Sequence, residues 1–321
     1  GVAAVTETNT PDIVAIGEPM IEFALAKDAA GQDVYLPGIG GDTSNAMVAA
    51  ARQGASVGYL TSLGQDAFGD DLMCFWAAEG VDSSYVKRDP NAPTGIYFIR
   101  PDADGQRAFT YYRKSSAASR YAPQDLPESV LSDARFLHVS AISQAVGDGP
   151  RDAVFKAIEI VNAAGGTVCY DTNLRLALWE LDVARDVIHS AVAKADIVAP
   201  SIEDARALTG LEDVDALVDF YLERGPGIVA LTMGAEGALI ATPERRERFA
   251  PHAVTVVDPS GAGDTFDGAF LARLAAGDDP FTAGRYANAA AALTTTGHGA
   301  VTPIPPAEEV AALLNDSGRI K

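Results

Sequence analysis

From residue 12 onward, short apolar segments alternate with longer segments whose apolar residues recur at helical spacing. Near-continuous apolar runs are typical of strands that are buried on both faces, as in parallel sheets. Strands that alternate with helices of about 10–15 residues predict an α/β fold, with a mostly parallel central sheet and helices on both faces. The predicted strands are 12–17, 56–64, 134–141, 167–173, 196–201, 227–234, 238–243 and 254–260, and the predicted helices are 44–54, 67–80, 150–166, 176–195 and 202–210, with another beginning near 264.

Two segments interrupt this alternation, because each contains strand-like runs around a turn and no helical pattern. Residues 21–37 resemble a hairpin, and residues 95–113 place β-branched and aromatic runs on either side of the turn sequence PDADGQ. We expect the two insertions to form a small β-sheet lid, whose exposed edges favour a homo-oligomer through the lid. The predicted division is an α/β core of 12–20, 38–94 and 114–321, the lid, and a disordered tail of 1–11.

The charge of the chain limits its partners. The formal net charge of −20 argues against nucleic acid, which requires a basic binding surface. No apolar run approaches the roughly 18 residues of a membrane span, and the first residues lack the pattern of a secretory signal. We therefore expect a cytoplasmic protein. An anionic ligand would need several of the few basic residues gathered at one site.

The segment 258–270, DPSGAGDTFDGAF, carries the chemical signal of the chain. Gly261 and Gly263 let backbone N–H groups converge at the start of a helix, whose N-terminus attracts anions. With Ala262 between them, they predict an anion hole for a phosphoryl group in transfer. Asp264 would then accept the proton of an attacking hydroxyl. The alternative is a helix cap at Asp264 with glycines that serve only the turn.

GAGDTFDGAF resembles the second signature of the ribokinase-like (PfkB) carbohydrate kinases, and residues 37–70 resemble the first. The resemblance extends over essentially the whole chain from residue 12 and implies a ribokinase-like fold with ATP and Mg²⁺ as cofactors. A monovalent cation such as K⁺ is a further candidate. The resemblance also implies that Gly40, Gly41 and Asn45 lie beneath the sugar. Alternatively, they form a glycine turn and a polar helix position.

The nucleotide side is also implied by resemblance. LTMGAEGALI resembles the loop that holds nucleotide phosphate and ribose, which suggests Thr232, Gly234 and Gly237, although MGAEG alone is simply a hairpin turn. Asn288 lies in a segment that resembles the helix beside adenine, and an Ala-rich packed helix is the alternative. Where many relatives carry Asn-x-x-Glu near Mg²⁺, this chain has SIED, so Asp204 becomes the candidate metal residue.

The substrate must be inferred from side chains. Arg113 and Arg175 each follow an extended run, and two guanidinium groups in so acidic a chain suggest an anionic sugar. GEPMIEF, YYRKSSAAS and DTNLRLALW together resemble 2-keto-3-deoxygluconate kinases. That resemblance implies that these arginines contact the acid sugar, and it implies further roles for four residues: Tyr97 and Tyr111 on the sugar, and Asn173 and Ser201 near ATP phosphate.

Five alternatives remain open at this point. The arginines could form surface ion pairs, and the tyrosines could pack across strands of the lid. The substrate could be a neutral sugar, as in fructokinases and ribokinases. An NAD-dependent oxidoreductase, suggested by GIGGD, fits poorly because that glycine run follows a hairpin. A sugar-binding regulator without catalysis is the last alternative, and the intact GAGD sequence speaks against it.

Overall fold

A computed structural model describes residues 9–318, and its architecture is a large α/β core with a separate small sheet. The predicted tail of 1–11 lies mostly outside the described residues. The strands are β1 Ile13–Ile16, β2 Met20–Lys27, β3 Asp33–Gly40, β4 Val57–Leu60, β5 Ser62–Gly64, β6 Val81–Asp82, β7 Lys87–Asp89, β8 Ile96–Pro101, β9 Arg107–Tyr112, β10 Phe136–Ser140, β11 Thr167–Asp171, β12 Ile197–Ala199, β13 Ile228–Thr232, β14 Ala238–Ala241 and β15 Arg246–Phe249. The helices are α1 Asp42–Arg52, α2 Ala67–Glu79, α3 Glu128–Asp133, α4 Ala141–Ala145, α5 Asp148–Ala163, α6 Leu181–Val192, α7 Ile202–Thr209, α8 Val214–Leu222, α9 Ala262–Ala275, α10 Pro280–Thr294 and α11 Ala307–Ser317.

The central sheet has nine strands in the order β15-β14-β13-β12-β11-β10-β1-β4-β6. It is parallel from β6 to β13 and antiparallel at β14 and β15. In β1, Val14 and Ile16 pack into one hydrophobic core and Ile13 and Ala15 into another. Successive side chains point to opposite faces of a strand, so these two cores are the helix layers on either side of the sheet. The predicted fold class is confirmed.

The small sheet has the order β3-β2-β8-β9 and is called the lid from here on. Its hairpins, β2–β3 and β8–β9, lie side by side because β2 pairs with β8 in parallel. An aspartate closes each hairpin turn: Asp28 accepts hydrogen bonds from two backbone N–H groups, and Asp102 does the same. The turn sequences therefore form both hairpins locally, as their composition predicts.

Two sequence-based assignments need correction. Segment 56–64 is not one strand but two, β4 and β5, divided at Thr61, whose hydroxyl donates to the Gly17 carbonyl at 2.8 Å. Segment 254–260 contains no strand, because the N–H groups of Val257 and Asp258 donate instead to the Thr295 carbonyl. The turn before α9 is thus held by the end of α10 and not by a sheet.

Within residues 9–318, every helix is too short or too polar to cross a membrane.

Candidate active site

The first turn of α9 has the geometry that its glycines predict. Gly261 adopts a φ of 75° and a side chain there would come within 2.7 Å of the Ala300 Cβ atom. Within the described chain, the N–H groups of Gly263 and Asp264 have no hydrogen-bond partner, whereas that of Ala262 lies 3.3 Å from the Pro259 carbonyl. A helix N-terminus with free N–H groups attracts anions. The turn therefore offers amides to a ligand, although the Ala262 amide is partly engaged in the turn.

These amides face a cavity of about 370 Å³ that lies at the ends of β11, β12 and β13. Asn173, Arg175, Ser201, Asp204 and Thr232 share its lining with the α9 turn. Carboxyl ends of parallel strands are the usual ligand position in such sheets. We call this space the phosphate cavity, after the anion that its amides would suit.

A second cavity, of about 450 Å³, lies between the lid and the core. Asp264, Asn173 and Arg175 line both cavities, so the two spaces meet at these three side chains. We call the second space the lid cavity. Its other polar lining residues are Glu18, Asp42, Tyr97, Tyr111, Arg113 and Lys114.

Asp264 thus lies at the junction of the cavities, where one of its carboxylate oxygens accepts a hydrogen bond from the Asn45 amide at 3.1 Å. Burial raises the pKa of Asp264 well above the ordinary value, and the nearby carboxylates Asp42 and Asp171 raise it further. The Asn45 amide and the charge of Arg175 act in the opposite direction. A carboxylate of raised pKa takes up a proton more readily than an ordinary aspartate.

A pair of carboxyl groups, the half-buried Asp171 and the buried Asp267, lies near Asp264. Burial raises the pKa of Asp171 to about 6, while its hydrogen bond with Asp267 lowers it; burial raises the pKa of Asp267 well above the ordinary range. The hydrogen bond between them requires a shared proton. His138 lies nearby, with a pKa that burial lowers to about 4, so it is neutral at pH 7. The region around the junction is therefore less negatively charged than four ionised aspartates, Asp42, Asp171, Asp264 and Asp267, would make it.

The lid cavity contains a buried ion pair that the sequence analysis did not anticipate. Arg113 contacts the Glu18 carboxylate through two nitrogens, with Nε at 3.1 Å, and its guanidinium lies over the Tyr111 ring. Glu18 is only 3% exposed; burial raises its pKa, against the lowering effect of Arg113. The charge of Arg113 is therefore already compensated within the protein.

The remaining predicted sugar residues meet at the lid. Gly40 lies directly beneath Tyr97, since a Cβ atom there would come within 2.3 Å of the Tyr97 hydroxyl. Gly41 has a φ of 121° and packs against the Glu18 carbonyl, so both glycines are required by close packing. The Tyr97 hydroxyl donates to Glu22 at 2.7 Å, which leaves its ring against the lid cavity.

The predicted nucleotide residues are not all brought together. Thr232 and Ser201 line the phosphate cavity, but Gly234, Gly237 and Asn288 line neither cavity in the described chain. The Asn288 amide donates to the Ala250 carbonyl at 2.9 Å, and Gly237 packs closely against the Phe249 carbonyl. Their roles toward a nucleotide stay predictions.

Comparison with known proteins identifies the family. The model of the pfkB family carbohydrate kinases matches residues 10–307, nearly the whole chain. The chain belongs to the PfkB family of carbohydrate kinases. This PfkB kinase is 34% identical over 311 residues to the 2-dehydro-3-deoxygluconokinase of Thermoproteus tenax, covering 94% of each chain. The predicted family, fold and enzyme class are confirmed.

Other PfkB relatives are equally similar and have a different substrate in their names. The probable fructokinase-4 of Arabidopsis thaliana is also 34% identical, over 94% of this chain and 96% of its own. The fructokinase structure from Vibrio cholerae O395, with fructose, ADP and a calcium ion bound, is 30% identical with a TM-score of 0.83, over 95% of this chain and all of that one. That fructokinase therefore binds both a sugar and a nucleotide, and similarity does not determine the sugar of the present kinase.

Sequence reasoning missed five polar residues that line one or the other of the two cavities of this PfkB kinase: Glu18, Asp42, Lys114, Asp171 and Asp267. Asp42 accepts hydrogen bonds from Ser140 and from the Asn173 amide, the latter at 2.9 Å. Each of the five stands inside a segment that carried the family resemblance, so the motif itself was the available signal.

Proposed function

We propose that this PfkB kinase transfers the terminal phosphoryl group of ATP to the terminal hydroxyl of a sugar acid, with 2-keto-3-deoxygluconate as the first candidate. The observation that carries the proposal is the charge of the lid cavity. Lys114 and Arg175 line it beside Asp264 and form no ion pair within residues 9–318, although the chain has a net charge of −20. A cavity that gathers cations in an acidic protein suits a carboxylate ligand.

In the proposed reaction, Asp264 removes the proton from the acceptor hydroxyl as the oxygen attacks phosphorus. Burial raises the pKa of Asp264, which makes its carboxylate a stronger base than that of an ordinary aspartate. The free N–H groups of Gly263 and Asp264 would stabilise the charge on the phosphoryl oxygens. Arg175, which lines both cavities, would contact the phosphoryl group or the sugar carboxylate.

Mg²⁺ would be held near Asp204. One Asp204 oxygen accepts from the Leu174 N–H at 3.0 Å and from the Thr172 hydroxyl at 3.3 Å, and the side chain lines the phosphate cavity. No group of three or more His, Cys, Asp or Glu residues suited to a metal occurs in residues 9–318. A single carboxylate fits Mg²⁺, which is usually bound by one or two carboxylates, phosphate oxygens and waters. When bound, it would neutralise charge on the ATP phosphates, and K⁺ stays a prediction without further support.

A neutral hexose such as fructose is the second candidate. The Arg113–Glu18 ion pair favours this candidate, because Glu18 compensates the charge of Arg113. Only Lys114 and Arg175 then remain to bind a substrate carboxylate. Glu18 and Asp42 would then accept hydrogen bonds from sugar hydroxyls in the lid cavity. The two candidates therefore differ in whether Lys114 and Arg175 bind a carboxylate.

A substrate panel with one substitution separates the candidates. ADP release is measured with 2-keto-3-deoxygluconate, 2-keto-3-deoxygalactonate, fructose and ribose, for the wild type and Lys114→Ala. If the acid is the substrate, Lys114→Ala raises its KM by about tenfold, the value of one charge-assisted hydrogen bond, and affects fructose little. Lys156→Ala is the matched control, because Lys156 is on α5, outside both cavities. Turnover of fructose alone would refute the sugar acid proposal.

We also propose that two copies associate through the lid. All six residues of β9, at the edge of the lid, are exposed, including Phe109 and Tyr112. An exposed edge strand with aromatic side chains favours pairing. Light scattering on the purified protein measures its mass in solution, and the mass of a monomer would rule out the proposed dimer. Cytoplasmic location stays a prediction.

A further inference from the structure

Arg107 joins the lid to the turn that begins α9. It is the first residue of β9, and its Nη1 atom lies 3.1 Å from the Ser260 hydroxyl and 3.5 Å from an Asp258 carboxylate oxygen. Lid and core are separate sheets, so these contacts form only when the lid lies against the core. They lie outside the lid cavity and have no part in the proposed chemistry.

Asp258 organises the backbone on both sides of the α9 turn. Its carboxylate accepts the Ser260 N–H at 2.9 Å and the Gly299 N–H at 2.9 Å. The segment around Gly299 includes Ala300, which packs against Gly261. Asp258 is 8% exposed, and a buried carboxylate needs a compensating charge. Arg107 supplies that charge from the lid.

Ser260 transmits the contact to the phosphate cavity. Its hydroxyl accepts from Arg107, its N–H is fixed by Asp258, and together with Gly261 it lines the phosphate cavity. If Arg107 moves away, Ser260 and Asp258 lose its contacts, and the turn that carries the free N–H groups of Gly263 and Asp264 is held less firmly. Because transfer depends on the position of these amides, a small displacement is sufficient to slow it.

We propose that Arg107 is a positioning residue that couples closure of the lid to the alignment of the phosphate-binding turn. The turn is fully supported only when the lid is closed over the sugar, so phosphoryl transfer is favoured when water is excluded. Water can otherwise accept the phosphoryl group, giving ADP and inorganic phosphate. The inference rests on the proposed placement of phosphate at this turn.

The test uses Arg107→Ala and Arg107→Lys, with Arg100→Ala as the matched control. Arg100 is also a lid arginine, on β8, and has no hydrogen bond or ion pair to the core within residues 9–318. The side chain of Arg107 is 48% exposed, so its removal leaves no buried void. ADP release and sugar phosphate are measured separately with ATP and whichever of 2-keto-3-deoxygluconate and fructose is turned over.

We expect Arg107→Ala to lower kcat by about tenfold, the value of one charge-assisted contact, with the KM for the sugar changed less than about twofold. The amount of ADP formed per sugar phosphate should rise above the wild-type ratio. Arg107→Lys should bring both kcat and this ratio part of the way back to the wild-type values. Hydrogen exchange at 258–263 with sugar and ADP bound should be faster in Arg107→Ala.

Wild-type kcat and product ratio in Arg107→Ala, or an equal loss in Arg100→Ala, would overturn the inference. Failure of the proposed placement of phosphate and base at this turn is distinguishable, because in that case Asp264→Asn would keep its turnover. If only the present inference fails, Asp264→Asn is inactive while Arg107→Ala is normal.

Discussion

Gly263→Ala separates the requirements of folding from those of phosphate binding at the α9 turn. Gly263 is the second residue of α9, it is exposed, and a Cβ atom built there meets no other atom within 4 Å. Its backbone is not in the left-handed region, so alanine fits without strain. Alanine is more favourable than glycine in a helix by about 0.5–1 kcal/mol. The melting temperature should therefore rise by about 1–3 °C.

The same methyl group should impair catalysis, because Gly263 lines the phosphate cavity and its N–H is free to bind an anion. The added methyl group beside that N–H would hold a phosphoryl oxygen farther away and so weaken the hydrogen bond. Loss of one donor from an oxyanion hole costs about 10²–10³-fold in kcat, and partial weakening should cost at least about tenfold. A more stable and slower enzyme is the expected result.

Gly261→Ala is the matched control. At a φ of 75°, alanine costs about 1–2 kcal/mol, and its methyl group would lie within 2.9 Å of three Ala300 atoms. This variant should lose stability, whereas Gly263→Ala should gain it. The assay is a thermal melt together with kcat at saturating ATP and sugar. Wild-type kcat in a folded Gly263→Ala variant would refute the anion-hole reasoning.

Two other substitutions address the carboxylates at the junction. Asp264→Asn should lower turnover by about 10²–10⁴-fold while calorimetric affinities for sugar and ATP change little, and unchanged turnover would exclude Asp264 as the base. Asp171 has a folded pKa of about 6 against an ordinary value of 3.8, so the folded state binds more protons between these values and wild-type stability falls as pH rises through them. Asp171→Asn removes this effect and should therefore be more stable than the wild type above about pH 7. The gain should be smaller near pH 5, and urea unfolding that gives the same difference at both pH values would contradict the assignment.

Much of the fold follows from local signals. The alternation of apolar strands and helices predicts the central sheet, and turn residues predict both lid hairpins, where Asp28 and Asp102 bind backbone only two and four residues away. The prediction of a strand at 254–260 is wrong because local signals do not decide the structure there. The β-branched run of this segment resembles a strand, but the backbone partner that decides its structure is Thr295, far along the chain.

The family, most strands of the central sheet and the α9 turn can be predicted from the chain alone, because periodicity, glycine conformation and motif order act over short stretches of chain. Which charges meet depends on the folded chain. Asn45 bonds to Asp264 across 219 residues, and Glu18 neutralises Arg113 across 95. Burial and charge pairing depend on these distant contacts, so the pKa values of the junction and the free charge of the lid cavity could be obtained only from the folded chain.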